Sequence, residues 1–310
     1  ATTETFNYLL YGLVGVAAIW RLYGARKAGT TSDTNTKPEH VRSLQFRFLI
    51  VFWLLRMADW LQGPYFYEVY RSKIFGGVQA SLDLVSVIFL VGFLSRGIFG
   101  PFVGKLVDGS GRKAGTLAFA VLCSLAALST FSSSLSVIML GRVAGGIATS
   151  LLFSAPEAWL VGEYRQQAFD GMWLGQTFAW AYAGDAVVAI LAGQFASASA
   201  SGLGPTGPFA LSVVFLITAA FLAAFTWTEN TAASVATITG ESESSQDEKT
   251  KPSVADACNL MFKDTRILLL GAVQALFEGA MYIFVLQWAP AMTAAIEVLS
   301  GYGAETTPYG

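Results

Sequence analysis

The chain has 310 residues, 54% of them hydrophobic and 13% charged, with a mean hydropathy of +0.53. A soluble domain carries roughly a quarter charged residues, so this composition excludes an ordinary water-soluble fold. A net charge of −2 gives no support to nucleic acid or an acidic substrate as partner, and a single histidine, His40, with two cysteines, Cys123 and Cys258, offers no zinc or disulfide framework.

A bilayer core about 30 Å thick needs about 20 consecutive, mostly apolar helical residues. Eight runs approach or meet that length: 6–23, 44–67, 78–103, 114–131, 135–155, 169–196, 208–227 and 267–290. The first is short, but it lacks the basic start and small-residue cleavage site of a signal peptide, and Trp20 with Arg21 reads as an interfacial end. It is expected to be a retained helix. Segment 197–207, rich in Ser, Ala and Gly with Pro205, reads as a flexible, uncharged outer loop. Segment 229–264 holds Glu241, Glu243, Asp247, Glu248, Lys249 and Lys251 among Ser and Thr, and reads as a solvated, partly disordered linker between two membrane halves.

Basic residues are retained on the cytoplasmic side of a membrane protein. One set of alternate connections holds fourteen: Arg21, Arg26, Lys27, Lys37, Arg42, Arg47, Lys105, Arg112, Lys113, Arg165, Lys249, Lys251, Lys263 and Arg266. The opposite set holds Arg71 and Lys73, while Arg56, Arg96 and Arg142 lie within apolar runs. The first helix is therefore expected to start outside, and the 229–264 linker to be cytosolic.

Between runs 78–103 and 114–131 stands Gly104-Lys-Leu-Val-Asp108-Gly-Ser-Gly111-Arg112-Lys113. Asp108 can lie near helix N-termini and basic groups, the glycines allow close backbone approach, and Arg112 and Lys113 hold the turn in the cytosol. The segment resembles the gating-turn signature of the major facilitator superfamily, Gly-x-Leu-x-Asp-Arg-x-Gly-Arg-Lys. It matches at Gly104, Leu106, Asp108, Gly111, Arg112 and Lys113 and departs at Gly109, where the family usually has Arg. Gly141-Arg142-Val-Ala-Gly145-Gly146 is similar to the superfamily's membrane-embedded Arg followed by small residues.

Further along, Asp59-Trp60-Leu61-Gln62-Gly-Pro64-Tyr65, the stretch from Thr149 through Glu157 to Trp159, and Gln274 to Glu278 with Trp288 and Pro290 resemble the molybdate-anion transporter branch, with Pro156 a departure where Phe is expected. The resemblance runs from about residue 44 to the end. It implies an all-α, polytopic fold of two six-helix bundles and molybdate uptake at the plasma membrane. On this reading residues 1–43 form an extra N-terminal helix and loop, 44–228 a six-helix bundle, 229–265 the linker, and 266–310 the first helix of a second bundle whose remaining helices lie beyond Gly310.

Independently of family, an ionisable side chain in hydrocarbon costs at least about 2.5–3.5 kcal/mol on insertion scales, so embedded charges need partners and a polar pathway. Arg56 and Asp59 sit three apart on one helix face, and Arg142, Asp185 and Glu278 occur at comparable depth. Guanidinium forks suit a tetrahedral dianion, which makes Arg142 and Arg56 the candidate donors. Gln62, Tyr65 and Gln176 could add neutral donors, and Asp59, Asp185 or Glu278 could carry a coupling proton. Arg56 neutralised by Asp59 alone, and Arg142 as a structural pin, stay open as alternatives. Arg96 is placed near the cytosolic end, where it would snorkel. Trp60, Glu157, Trp159 and Gln274 enter the candidate site through the resemblance.

Three function classes follow. A secondary transporter of a small oxyanion, with protons as coupling ion and the second bundle or other membrane subunits as partner, is favoured. A non-transporting membrane scaffold that keeps the six-helix bundle is the alternative. A membrane enzyme has no nucleotide loop, metal cluster or nucleophile constellation behind it, and no cofactor is expected.

Overall fold

A computed structural model describes residues 37–239 and 261–300, with isolated positions at Tyr8, Tyr11, Gly12, Gly15, Val16 and Asn259. The expected helix at 6–23 and most of the acidic linker therefore lie outside the described residues. The chain divides into a unit of residues 1–42 and a unit of residues 43–310, and the second carries everything discussed below.

The elements in chain order are α1 (Glu39–Gln62), a 3-10 turn (Gly63–Tyr65), α2 (Phe66–Arg71), a hairpin of β1 (Ile74–Phe75) and β2 (Val78–Gln79), α3 (Leu82–Ser110), α4 (Arg112–Ser129), α5 (Leu135–Leu152), α6 (Ala155–Gln166), α7 (Gly171–Leu203), a 3-10 turn (Gly204–Thr206), α8 (Gly207–Thr226), α9 (Ala232–Thr239) and α10 (Thr265–Ser300). Each run from 44–67 onward contains a helix. Five stretches are long and apolar enough to cross a membrane: α3, α4, α5 with α6, α7 with α8, and the first 20 residues of α10. The third and fourth of these each hold two helices, and α1 is apolar but carries Arg47, Arg56 and Asp59. The protein is an integral, multi-pass helical membrane protein.

The helices are two-faced in the sense a bilayer demands. On α3, Leu90, Leu94, Ile98 and Phe102 recur every fourth residue and are exposed, whereas Val85, Ile88, Phe89, Gly92 and Ser95 are buried. Lipid tails are as apolar as leucine, so helices here associate through close packing and polar contacts rather than through expulsion of water. The glycines of the 141–146 segment supply that packing on two sides. A Cβ on Gly141 would strike the Ser129 hydroxyl of α4, and one on Gly146 would strike the Gly92 carbonyl of α3. Packing between α1 and α7 is polar instead. Gln45 Nε2 donates to Thr177 Oγ1 (2.7 Å), the Trp53 indole donates to the Ala181 carbonyl (3.0 Å), and Arg56 binds Asp185. Thr177, Ala181 and Asp185 stand one helical turn apart, so the ladder fixes the register of the two helices.

The structure corrects the sequence boundaries at four places. Run 44–67 is not one helix: Pro64 has no N–H to give, and the chain tightens into a 3-10 turn before α2 resumes. Run 78–103 begins with a strand, because Gly76 and Gly77 take φ of 58° and 83° and close a two-residue hairpin; the helix starts only after Ser81, whose hydroxyl accepts from the Leu84 N–H. The flexible loop expected at 197–207 is helical through Leu203. Ala and Ser are compatible with a helix, and the break waits for Gly204 (φ 66°) followed by Pro205. Finally, α3 continues through Pro101 to Ser110, seven residues past the expected end at 103, and residue 96 becomes its midpoint.

Candidate functional site

A layer of charged side chains crosses the middle of the bundle. Arg56 of α1 makes a two-pronged pair with Asp185 of α7, Nε to Oδ1 at 2.9 Å and Nη2 to Oδ2 at 3.0 Å. Its remaining nitrogen, Nη1, donates to Asp59 Oδ2 at 3.2 Å. The Trp60 indole also donates to Asp185 (2.9 Å), and the Arg56 guanidinium carbon lies 5.3 Å from the centre of the same indole. All three guanidinium nitrogens are thus engaged by carboxylates. This is the geometry in which a buried charge is tolerated, and removing one partner would expose the cost.

Arg96 belongs to this layer, against the expectation that it would snorkel. The depth assigned from sequence rested on a helix ending near 103; with α3 running to Ser110, Arg96 stands at the midpoint of the helix and faces α10. Its Nη1 donates to Tyr282 Oη of α10 (3.1 Å), and its Nη2 lies 3.6 Å from Glu278 Oε2. Phe153, in the break between α5 and α6, has its ring centre 4.9 Å from the Arg96 guanidinium carbon and 5.7 Å from that of Arg56. Glu278 also accepts from Gln274 Nε2 (2.8 Å). Glu157, at the start of α6, accepts from Tyr182 Oη (2.6 Å), and Tyr182 is three residues before Asp185 on α7.

Arg142 sits apart from these carboxylates. Its guanidinium carbon is 4.6, 5.6 and 5.9 Å from the ring centres of Phe66, Phe89 and Tyr70, and a Cβ on Gly92 would meet its Nη2 at 2.6 Å. Among the described residues no carboxylate pairs with it, and its Nε is buried without a hydrogen-bond partner. Gln62 is buried and spends its amide on Ser212 Oγ (3.0 Å) and the Ala58 carbonyl (3.3 Å), while Tyr65 belongs to the buried core beside Phe209.

Trp159 lies in a second group, at the end assigned to the cytosol. It is fully buried, stacks on Trp227 at 3.8 Å and 7°, and donates to the Thr228 carbonyl (2.8 Å). The same end contains the signature segment, and here the structure revises the expected turn. Residues from Gly104 to Ser110 are the last turns of α3, and the reversal is made by Gly111 alone (φ 120°) before α4 begins at Arg112. Asp108 pairs with Arg112 one turn on, at 3.2 Å. Glu229 caps α4: its carboxylate accepts from the Lys113 N–H and the Ala114 N–H, each at 2.9 Å, while Arg112 N–H donates to the Asn230 carbonyl (3.1 Å). Lys113 Nζ in turn binds the last carbonyls of α8, at Ala224 and Trp227 (2.7 and 2.9 Å). The stretch from Glu229 into α9, expected to be solvated linker, is thereby tied to the bundle. Gly111→Ala should destabilise the protein by about 1–3 kcal/mol, since the backbone is one only glycine adopts readily and the new Cβ would lie 2.5 Å from the Glu229 carboxyl carbon. Thermal unfolding in detergent measures this, and an unchanged midpoint would contradict it.

Sequence reasoning missed Arg96, Phe153, Tyr182 and Tyr282. Arg96 was visible as a charge in an apolar run, and only its depth was misjudged. The three aromatic residues carry no local signal that separates them from lipid-facing rings.

The fold and the layer of ion pairs define a multi-pass helical membrane protein. The chain belongs to the major facilitator superfamily: the model of its family described as "Sugar-transporters, 12 TM" matches residues 5–304. It is similar to proteins named molybdate-anion transporter from Xenopus tropicalis (32% identical, covering 93% of this chain and 60% of the relative), Xenopus laevis (32%, covering 90% and 59%) and Takifugu rubripes (32%, covering 81% and 54%). The chain thus spans about 60% of the length of the relatives it matches. No solved structure matches it.

Proposed function

We propose that the protein is a secondary transporter of a small tetrahedral oxyanion, molybdate foremost, that works by alternating access between two bundles. On this reading residues 44–228 form the first bundle, 229–265 the cytosolic linker, and α10 opens the second. The relatives' names support molybdate, whereas the family description points to sugars. The observation that favours an ion is the set of embedded arginines, Arg56, Arg96 and Arg142, because an uncharged substrate does not require three such charges in the membrane-embedded segments.

The translocation pathway is assigned to Arg56, Asp59, Trp60, Asp185, Glu157, Gln274 and Glu278, with Gln62 and Tyr65 shaping the kinked end of α1. Arg142 contributes a positive charge that no carboxylate pairs with among the described residues. Gly104, Asp108, Gly111, Arg112 and Lys113 form the gating segment, whose contacts to Glu229 and to the end of α8 would have to loosen or move as a body when the bundles rock.

The charge balance of the layer implies a coupling ion. Arg56 and Arg96 pair with Asp59, Asp185 and Glu278, and Glu157 joins them through Tyr182, so two guanidiniums and four carboxylates leave a formal balance of −2. A dianion entering such a layer is repelled unless a cation, a proton foremost, accompanies it. With a proton as the accompanying cation, uptake should rise as the external pH is lowered and decline as it is raised. Cells expressing the protein should accumulate labelled molybdate above vector controls, with competition by tungstate and none by hexoses. Hexose accumulation without oxyanion uptake would overturn the reading, and oxyanion uptake that climbs with pH would remove the proton.

A further inference from the structure

Three embedded arginines could receive an anion, and their surroundings differ in a way that selects one. Arg56 is already neutralised, since each of its nitrogens serves a carboxylate at 2.9–3.2 Å. Arg142 is walled by three rings and by Gly92. Arg96 is under-bonded. One nitrogen donates to a neutral phenol, and the other stands 3.6 Å from Glu278, beyond hydrogen-bond length. The Arg96 and Glu278 side chains are 26% and 34% exposed, against 12% and 13% for Arg56 and Asp185, so a ligand can reach the looser pair.

We propose that Arg96 is the residue that takes the oxyanion, and that Glu278 is its built-in competitor. This inference rests on the oxyanion-transport reading above. A tetrahedral dianion offers several acceptor oxygens and twice the charge of the carboxylate it replaces, so it can use the full donor fork that Glu278 leaves half-engaged. Glu278 is not stranded by the exchange, because Gln274 one turn away already donates to it.

The exchange has a mechanical consequence. Arg96 belongs to α3 and Glu278 to α10, so anion binding removes an ionic link between the first bundle and the helix that opens the second. The 4.5 Å contact of Phe93 with Tyr282 remains as the pivot. The apparent affinity of the empty protein is lowered by the fraction of time Glu278 holds Arg96, and the bound anion frees α10 to move.

The test is calorimetric titration of the purified full chain with sodium molybdate, alongside R96Q, R96K and E278Q, with thermal unfolding to verify folding. R96Q should weaken binding by at least about tenfold, and R96K, which keeps the charge without the fork, by less. E278Q should bind about three- to tenfold more tightly than wild type, because the competitor is gone. Tighter binding is a gain that a damaged fold cannot produce, so E278Q decides the matter if R96Q fails to fold. Wild-type affinity in folded R96Q, or E278Q that binds no more tightly than wild type, would overturn the exchange while leaving oxyanion transport in place. Wild-type protein that binds no molybdate would overturn both.

Discussion

Arg56→Gln should be the most damaging single substitution in the central layer, costing about 3–5 kcal/mol of stability and eliminating uptake. Asp185 would lose both prongs of its partner and keep the Trp60 indole, while Asp59 would lose the ion pair it makes among the described residues. The cost comes from the stranded carboxylates more than from the lost attraction. For that reason the double variant Arg56→Gln with Asp185→Asn should recover most of the stability while remaining inactive, since the neutral amides can bond to each other at the same separation. Arg56→Lys should recover little, because an ammonium cannot reproduce the two-pronged contact. Thermal unfolding of the purified variants, combined with uptake at matched surface expression, reads out both effects. A single variant as stable as wild type, or a double variant as unstable as the single, would show that the pair is not the anchor of α1 on α7.

Arg142→Met should have the opposite signature, with stability unchanged or raised and uptake at least about tenfold lower. Methionine fills much of the same volume and packs well against rings. Wild-type Arg142 gains about 0.5–2 kcal/mol from each ring it faces but bears the desolvation of a cation that pairs with no carboxylate among the described residues. A charge kept under such terms is explained by what it attracts, and a positive potential along an anion pathway is the economical answer. Arg142→Lys should lie between the two. Wild-type kinetics in the methionine variant at equal expression would reduce Arg142 to a packing element held by Phe66, Tyr70 and Phe89.

The two arginines show where sequence reading ran out. That both were embedded and needed partners was legible, because a charge inside an apolar run is conspicuous and hydrocarbon tolerates it poorly. Asp59 could be named as a partner of Arg56 from its three-residue spacing. Asp185 could not, because it comes from a helix 129 positions away and meets Arg56 only through the register set by the Gln45–Thr177 and Trp53–Ala181 bonds. Arg142 had no spacing signal for its ring cage, which is assembled from α2 and α3. Arg96 failed for another reason. Its depth was computed from a helix end placed at 103, and an error of two turns in that end moved it from the membrane centre to the surface.

What the sequence determined by itself was the solvent, the helix type and the order of the crossings. Those follow from local quantities, the length and polarity of each run, and from the rule that backbone in lipid must satisfy its own hydrogen bonds. It also held the signature segment that places the chain in its superfamily. Tertiary structure alone decided which charges share a layer, that one glycine makes the whole turn between α3 and α4, and that the residues after α8 fold back to cap α4 instead of leaving as linker. Each of these depends on side chains far apart in sequence reaching one point, and a pattern of polarity along a single helix carries no record of which neighbour will stand opposite it.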